Sequence, residues 1–245
     1  MLSEAKGAVE LLSRGWDWFQ DRRDPVRAQA KRLIDAFDAY GIARHQIARV
    51  LPPALAMPPA AMSTPSKLKD TLSPALLDWT ADYLALSRAW FDGADSQPHL
   101  LIDGYKDPAV HERWLATRLA AMPDVRRYLI VWKADSKPVG FDSRGPLCLV
   151  YAEDSEGLDG KEFSRYWLLS RDWPLGHPPC VENMREIVAI ARALDIMVIG
   201  RIAPMQWLTK LEAGQAFVPQ VRDHTGALWY PQDDEFGAAG RGTAN

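Results

Sequence analysis

In the N-terminal part of the chain, apolar residues recur at the three- and four-residue spacing that is typical of amphipathic helices. One helix is predicted over residues 1–23, and a second begins at Pro25, which Asp24 precedes as a cap. The second helix is expected to end at Gly41, because glycine readily adopts the left-handed conformation of helix ends. A short helix is predicted after Gly41, and it ends at Pro52.

Two further helices are predicted before the pattern changes. Ser73 caps the first of them and is followed by a proline, and Ser87 caps the second, which Gly93 closes. Residues 52–66 are rich in Pro, Ala and Met and are predicted to form a loop. Residues 93–99 are small, polar and interrupted by a proline, so we expect a linker there.

Beyond the linker the pattern indicates strands as well as helices. A helix over residues 107–122 is expected to precede a meander of three strands, over residues 128–134, 147–152 and 163–171. An amphipathic helix over residues 181–194, a buried strand over 196–202, a helix after Pro204 and a late edge strand at 229–230 complete the pattern.

These elements predict an α+β protein of two unequal parts. Residues 1–95 are expected to form an all-helical domain, and residues 100–236 an α+β domain with a mostly antiparallel sheet. Residues 237–245 are small and polar, and we expect a disordered tail.

Composition limits the classes of protein to which the chain belongs. It carries 29 Lys and Arg against 32 Asp and Glu, and a net charge of −3 argues against a protein that coats nucleic acid over its whole surface. Cys148 and Cys180 have no metal-ligand spacing, so a reducing, cytoplasmic location is expected. No apolar run has the length of a membrane span or the form of a signal peptide, so no membrane partner is predicted.

Residues 33–51, which read LIDAFDAYGIARHQIARVL, contain a pattern of two helices joined by a tight turn. Gly41 ends the first helix, Ile42 follows it, and Ile47 lies five positions further on in the second helix. With these aliphatic residues anchoring the second helix, its opposite flank is left polar and cationic.

Residues 76–93, which read LLDWTADYLALSRAWFDG, contain a second distinctive pattern, with Leu84, Ser87, Trp90 and Gly93 at fixed spacing. Both patterns are similar to those of the Xre/lambda-repressor-like helix-turn-helix family. The resemblance covers roughly residues 26–93 and implies a helix-turn-helix fold for the N-terminal domain.

The resemblance implies a transcription regulator that binds double-stranded DNA as a homodimer, because one helix-turn-helix contacts only a half-site. The residues that it places against DNA are Arg32, Arg44, His45, Gln46 and Arg49. Charge agrees with this expectation, since residues 14–50 hold eight Lys and Arg against five Asp. The C-terminal domain is then expected to dimerise, or to sense a small-molecule or protein effector.

Three departures from the family pattern leave a second interpretation open. Phe37 stands where the family has a small residue, and Ala43 stands where it has a Ser or Thr cap. The link after Leu51 is long and carries four prolines. The alternative is a protein-interaction module whose degenerate helix-turn-helix does not bind DNA.

A ligand site is predicted on the sheet face of the second part. Aromatic residues alternate with other types along its strands, and nearby arginines suit an anionic group. The candidate ligand-binding residues are Trp132, Arg165, Trp167 and Arg201.

No catalytic residue, metal site or cofactor is predicted. His177 and Cys180 are a single pair of possible metal ligands, which is a weak signal. The acidic residues over 153–159 are expected to form a solvated hairpin tip. An enzyme that uses this acidic loop is a third hypothesis, which divalent-metal binding would support.

Overall fold

The computed structural model describes residues 24–139 and 143–231. The helix predicted over residues 1–23 and the tail predicted over residues 237–245 lie outside these residues. Helices pack on both faces of a five-stranded sheet in the described part of the chain. The predicted α+β class is therefore confirmed.

The N-terminal part of the described chain is helical. Its α-helices are α1 (Pro25–Ala39), α2 (Arg44–Val50), α3 (Pro65–Leu68), α4 (Pro74–Leu84) and α5 (Arg88–Asp92). α1 begins as predicted, because the side chain of Asp24 accepts a hydrogen bond from the Arg27 N–H at 3.0 Å. It ends as predicted too, since Gly41 adopts a φ of +74° just beyond it.

The segment predicted as a loop over residues 52–66 contains two short 3₁₀ helices, Pro53–Leu55 and Pro59–Ser63. Each begins at a proline, whose fixed φ suits the first turn of a helix. Met62 in the second turn is fully buried, which draws this segment onto the helical core. The proline-rich link is thus anchored beside α2 at Met62, and neither its two 3₁₀ helices nor α3 was predicted.

Within the described ranges, the second part of the chain supplies the sheet, a 3₁₀ helix (Leu158–Gly160) and four further α-helices. The strands are β1 (Arg127–Lys133), β2 (Cys148–Glu156), β3 (Glu162–Leu168), β4 (Met197–Ile202) and β5 (Leu228–Trp229). The helices are α6 (Pro108–Ala121), α7 (Pro178–Ala193), α8 (Met205–Glu212) and α9 (Val218–Asp223).

The sheet is mixed, which corrects the expectation of a mostly antiparallel sheet. The strand order is β3-β2-β1-β4-β5, and β1 to β3 form the predicted antiparallel meander. β4, however, pairs with β1 in parallel. The cause is the connection from β3 to β4, because α7 crosses the sheet and returns the chain in the direction of β1.

Two hydrophobic clusters lie on opposite faces of the sheet. Ile130 and Trp132 of β1 face the first, which includes residues of α1, α4, α8 and α9. Leu129 and Val131 alternate onto the second, which includes residues of α6 and α7. The N-terminal helices and one face of the sheet therefore share a core.

Residues 93–96 of the segment predicted as a linker are exposed, whereas residues 97–99 are buried. Gln97 and His99 are each 2% exposed. The Gln97 side-chain amide donates to the Leu211 carbonyl at 3.0 Å, and His99 Nε2 accepts from the Val218 N–H at 3.0 Å. Polar residues are tolerated inside because these partners, which are distant in sequence, satisfy them.

Alanine substitutions at two glycines, Gly214 and Gly41, test how closely this segment packs against the end of α8. A Cβ at Gly214 would overlap the Ser96 carbonyl oxygen, and the residue has a φ of +68°. We expect Gly214→Ala to lower the free energy of unfolding by about 3 kcal/mol, from left-handed strain plus overpacking. Gly41→Ala is the matched control, with a similar φ and no atom within 4 Å of the added Cβ. It should cost only about 1 kcal/mol in urea denaturation, and equal losses would contradict this packing.

The burial of His99 also predicts that the folded protein loses stability as the pH falls. Burial lowers the pKa of His99 from 6.5 to about 3. Below pH 6.5 the unfolded chain therefore binds a proton that the folded chain does not bind until about pH 3. The wild type should lose about 1.4 kcal/mol of stability per pH unit in this window from this group alone.

The variant His99→Gln keeps an acceptor for the Val218 N–H and removes the titration. Urea denaturation of both proteins between pH 6 and pH 4 measures the difference in slope. His111, whose pKa burial also lowers, is common to both proteins. Parallel pH profiles for wild type and variant would show that His99 does not carry this sensitivity.

Candidate functional site

α2 carries four of the five side chains predicted to contact DNA, on a helix with one buried and one exposed flank. Ile47 is fully buried against the helical core. Arg44, His45 and Arg49 are exposed. At 3.6 residues per turn, these three positions occupy about 140° of the helix circumference. We call them the α2 basic face.

Both arginines of the α2 basic face form ion pairs with acids of this chain. Arg44 binds Asp38 of α1 at 2.8 Å, and it also lies 3.5 Å from the Ser63 carbonyl of the proline-rich segment. Arg49 binds Asp159 in the β2–β3 turn with two hydrogen bonds, of 2.6 and 3.2 Å. This contact with Arg49 lowers the pKa of Asp159. The guanidinium groups are therefore exposed but partnered.

Arg32 and Gln46 are the other two predicted DNA contacts, and both side chains form hydrogen bonds with backbone groups of this chain. The Gln46 side-chain oxygen accepts from the Ala43 N–H at 3.1 Å, at the start of α2. This hydrogen bond satisfies a helix-end donor where the sequence lacks a Ser or Thr cap. Arg32 Nη1 donates to the Phe91 carbonyl of α5 at 3.2 Å. The structure thus does not bring Arg32 onto the α2 basic face.

Phe37, which stands where the family pattern has a small residue, packs against α4. It is fully buried, and its ring lies 6.4 Å from Trp79 and 6.3 Å from Tyr83, both on α4. The ring of Phe37 therefore packs against aromatic side chains of α4 within the first cluster.

A second candidate site is a cavity of about 690 Å³ between one face of the sheet, the end of α1 and α9. We call it the sheet-face cavity. Its lining combines aromatic rings, a few aliphatic side chains and several charged groups: Tyr40, Tyr128, Ile130, Trp132, Ala152, Asp154, Glu162, Phe163, Ser164, Tyr166, Ile199, Arg201, Pro219, Arg222, Asp223 and Thr225. Trp132 and Arg201, two of the predicted ligand-binding residues, are among them.

The other two predicted ligand-binding residues lie on the opposite face of the sheet. Alternate residues of a strand point to opposite sides, so Tyr166 lines the cavity while Arg165 and Trp167 do not. Trp167 is buried in the second cluster, and the Arg165 guanidinium lies over its ring. Arg165 Nη2 also donates to the Asp82 carbonyl at 2.7 Å. The predicted set of four is therefore divided by the sheet.

Tyr40 and Arg222 also line the cavity, and the sequence analysis did not predict either of them. Tyr40 follows α1 and is buried, and burial together with Tyr166 raises its pKa well above the usual range. Arg222 lies on α9, which was not predicted. The signals for α9 were Pro219 in a first helical turn and two valines three residues apart, which are weak in so short a helix.

The carboxylate of Asp154, which lines the cavity, accepts hydrogen bonds from two hydroxyl groups. Asp154 accepts from the Tyr128 hydroxyl at 3.2 Å and from the Ser164 hydroxyl at 2.9 Å. Arg222 contacts the Ser164 and Tyr166 hydroxyls, which are neutral groups. Arg201 has neither an ion pair nor a side-chain hydrogen bond to any residue in the described ranges.

The acidic residues over 153–159 separate rather than forming one solvated tip. Glu153 is 1% exposed and pairs with Arg118, and it accepts from the Tyr151 hydroxyl at 2.9 Å. Burial and Glu153 raise the pKa of Tyr151. Asp154 faces the cavity on the other side, and Asp159 meets Arg49. A strand period of two places neighbouring acids on different faces, so the expectation of a solvated cluster was wrong for Glu153.

His177 and Cys180 lie at the start of α7, where Cys180 is buried. Over residues 24–139 and 143–231, no group of three or more His, Cys, Asp or Glu side chains has an arrangement that could hold a metal ion. None of the helices in these ranges has the length and apolar character needed to cross a bilayer.

Comparison of the chain with protein-family models, with curated proteins and with solved structures found no match. The two candidate sites are therefore judged on their own geometry.

The Arg118–Glu153 pair predicts a structural role for the sheet face that carries Arg165 and Trp167. Arg118→Met should lower the free energy of unfolding by about 3 kcal/mol, because it leaves a buried carboxylate without its close cation. Adding Glu153→Gln should restore most of the loss, since the amide oxygen still accepts from Tyr151. Chemical denaturation of the single and double variants measures both effects. A loss below about 1 kcal/mol for Arg118→Met would contradict a structural pair.

Proposed function

We propose that this protein is a DNA-binding transcription regulator, and that the α2 basic face contacts duplex DNA. The observation that supports the proposal is an exposed cationic flank on a helix whose opposite flank is anchored by Ile47. α1, the turn at Gly41 and α2 follow one another along the chain in the order that a helix-turn-helix pair requires. Such pairs act on half-sites, so the protein is proposed to bind as a homodimer.

The ion pairs of Arg44 and Arg49 are compatible with this proposal on energetic grounds. The side chains of Arg44 and Arg49 are 45% and 53% exposed to solvent. Exposed ion pairs contribute little, because water screens them and long side chains lose freedom in forming them. A DNA phosphate offers each guanidinium the same oxyanion chemistry as Asp38 or Asp159, and counterion release adds a gain at low salt.

The same two acids favour a second candidate function, a protein-interaction module that does not bind DNA. Asp38 and Asp159 neutralise the two arginines of the face, and Asp159 belongs to the sheet half of the molecule. A face whose charge is already balanced attracts a polyanion weakly. The two functions differ in one measurable property, the affinity for duplex DNA at low salt.

The test is binding of the full chain to labelled duplex DNA over a series of salt concentrations, followed by fluorescence polarisation. We expect binding that weakens with salt. Arg44→Ala with Arg49→Ala should reduce the slope of log K against log salt by about two, because two phosphate contacts are lost. Arg113→Ala with Arg171→Ala is the matched control, since both arginines are exposed and lie outside α2.

The control variant should bind DNA as the wild type does. Equal behaviour of the α2 variant and the control would remove the α2 basic face from the interaction. Complete absence of salt-dependent binding by the wild type would reject the regulator proposal in favour of the interaction module.

A further inference from the structure

The sheet-face cavity has the dimensions of a site for one small molecule. Its volume of about 690 Å³ falls within the range of pockets that enclose such ligands, roughly 300–1,000 Å³. It lies on the first-cluster side of the sheet and does not include any residue of the α2 basic face. A function for this cavity is therefore independent of DNA binding.

The walls of the cavity favour a flat ring. Tyr128 projects from β1 and Phe163 from β3, and both rings are partly exposed, whereas Tyr166 is 2% exposed beneath Arg222. Ile130 and Ile199 provide aliphatic surface between the strands. Aromatic side chains pack best against planar partners in stacked or edge-to-face arrangements.

Two arginines of the cavity lack a carboxylate partner and could contact one anionic group. Of the three acids in the lining, Asp154 accepts from two hydroxyls and lies 3.7 Å from Arg126, Glu162 pairs with Arg126 at 3.0 Å, and Asp223 is exposed. Arg222 is held only by neutral hydroxyls, and Arg201 has no carboxylate partner in the described ranges. A guanidinium without an acid is a ready donor of paired hydrogen bonds to a carboxylate or a phosphate.

We propose that the sheet-face cavity binds a planar aromatic molecule that carries one oxyanion, with Arg201 and Arg222 contacting the anion and Tyr128 and Phe163 contacting the ring. The test is isothermal titration calorimetry of the full chain with indole-3-carboxylate, phenyl phosphate and the uncharged indole-3-carboxamide. At least one anion should bind, and the amide should bind roughly tenfold more weakly, the loss expected for a charge-assisted hydrogen bond. Which anion binds identifies the oxyanion.

Two variants locate the binding. Arg201→Gln should weaken the anion roughly tenfold, whereas the exposed, distant Arg113→Gln should leave it unchanged. Thr225→Trp fills the cavity at its rim without removing a charge, and it should abolish binding even if Arg201→Gln proves unstable. Absence of binding by both anions, equal binding of the amide, or wild-type binding by Thr225→Trp would overturn the proposal.

Discussion

Tyr40 ties together the parts of this molecule that are distant in sequence. Its ring lies 6.0 to 6.5 Å from Phe163, Tyr166 and Phe217, which come from β3 and the start of α9. Its hydroxyl donates a hydrogen bond to the Leu84 carbonyl at 3.0 Å. Leu84 ends α4, where a carbonyl has no helical partner. One side chain therefore joins α1, α4 and the sheet.

This arrangement fixes the two candidate sites relative to each other. Gly41 follows Tyr40 directly and turns the chain into α2, so the position of the α2 basic face depends on how Tyr40 sits on the sheet. The same ring closes one side of the sheet-face cavity. On the other side of α2, Asp159 of the β2–β3 turn holds Arg49. α2 is thus fastened to the sheet half just before its first residue, through Tyr40, and near its last residue, through Arg49.

Local signals in the sequence were sufficient for most of the helices and strands. Asp24, Pro25 and Gly41 set the limits of α1, and Ser73 and Ser87 cap α4 and α5 through hydrogen bonds to backbone N–H groups. These features act within one helical turn, so they can be recognised without knowledge of the fold. The alternation along β1 likewise indicated which side chains share a sheet face.

Features that depend on distant partners could not be predicted in this way. The parallel pairing of β1 with β4 follows from the path of α7, and the burial of His99 follows from a hydrogen bond with Val218. Of the predicted ligand-binding residues, Trp132 and Arg201 line one cavity, whereas Arg165 and Trp167 lie on the other face of the sheet. The pairing of β1, β2 and β3 sets which residues of β3 share a face with those of β1, and alternation along a single strand does not reveal it.

Hydrogen–deuterium exchange of the full chain, with and without duplex DNA at low salt, tests most directly whether the helix pair presents α2 to nucleic acid. DNA should slow exchange in the peptides that cover residues 41–51, and it should leave those of α6 and α7, behind the sheet, unchanged. Protection confined to the sheet half of the molecule, or no protection anywhere, would contradict the account.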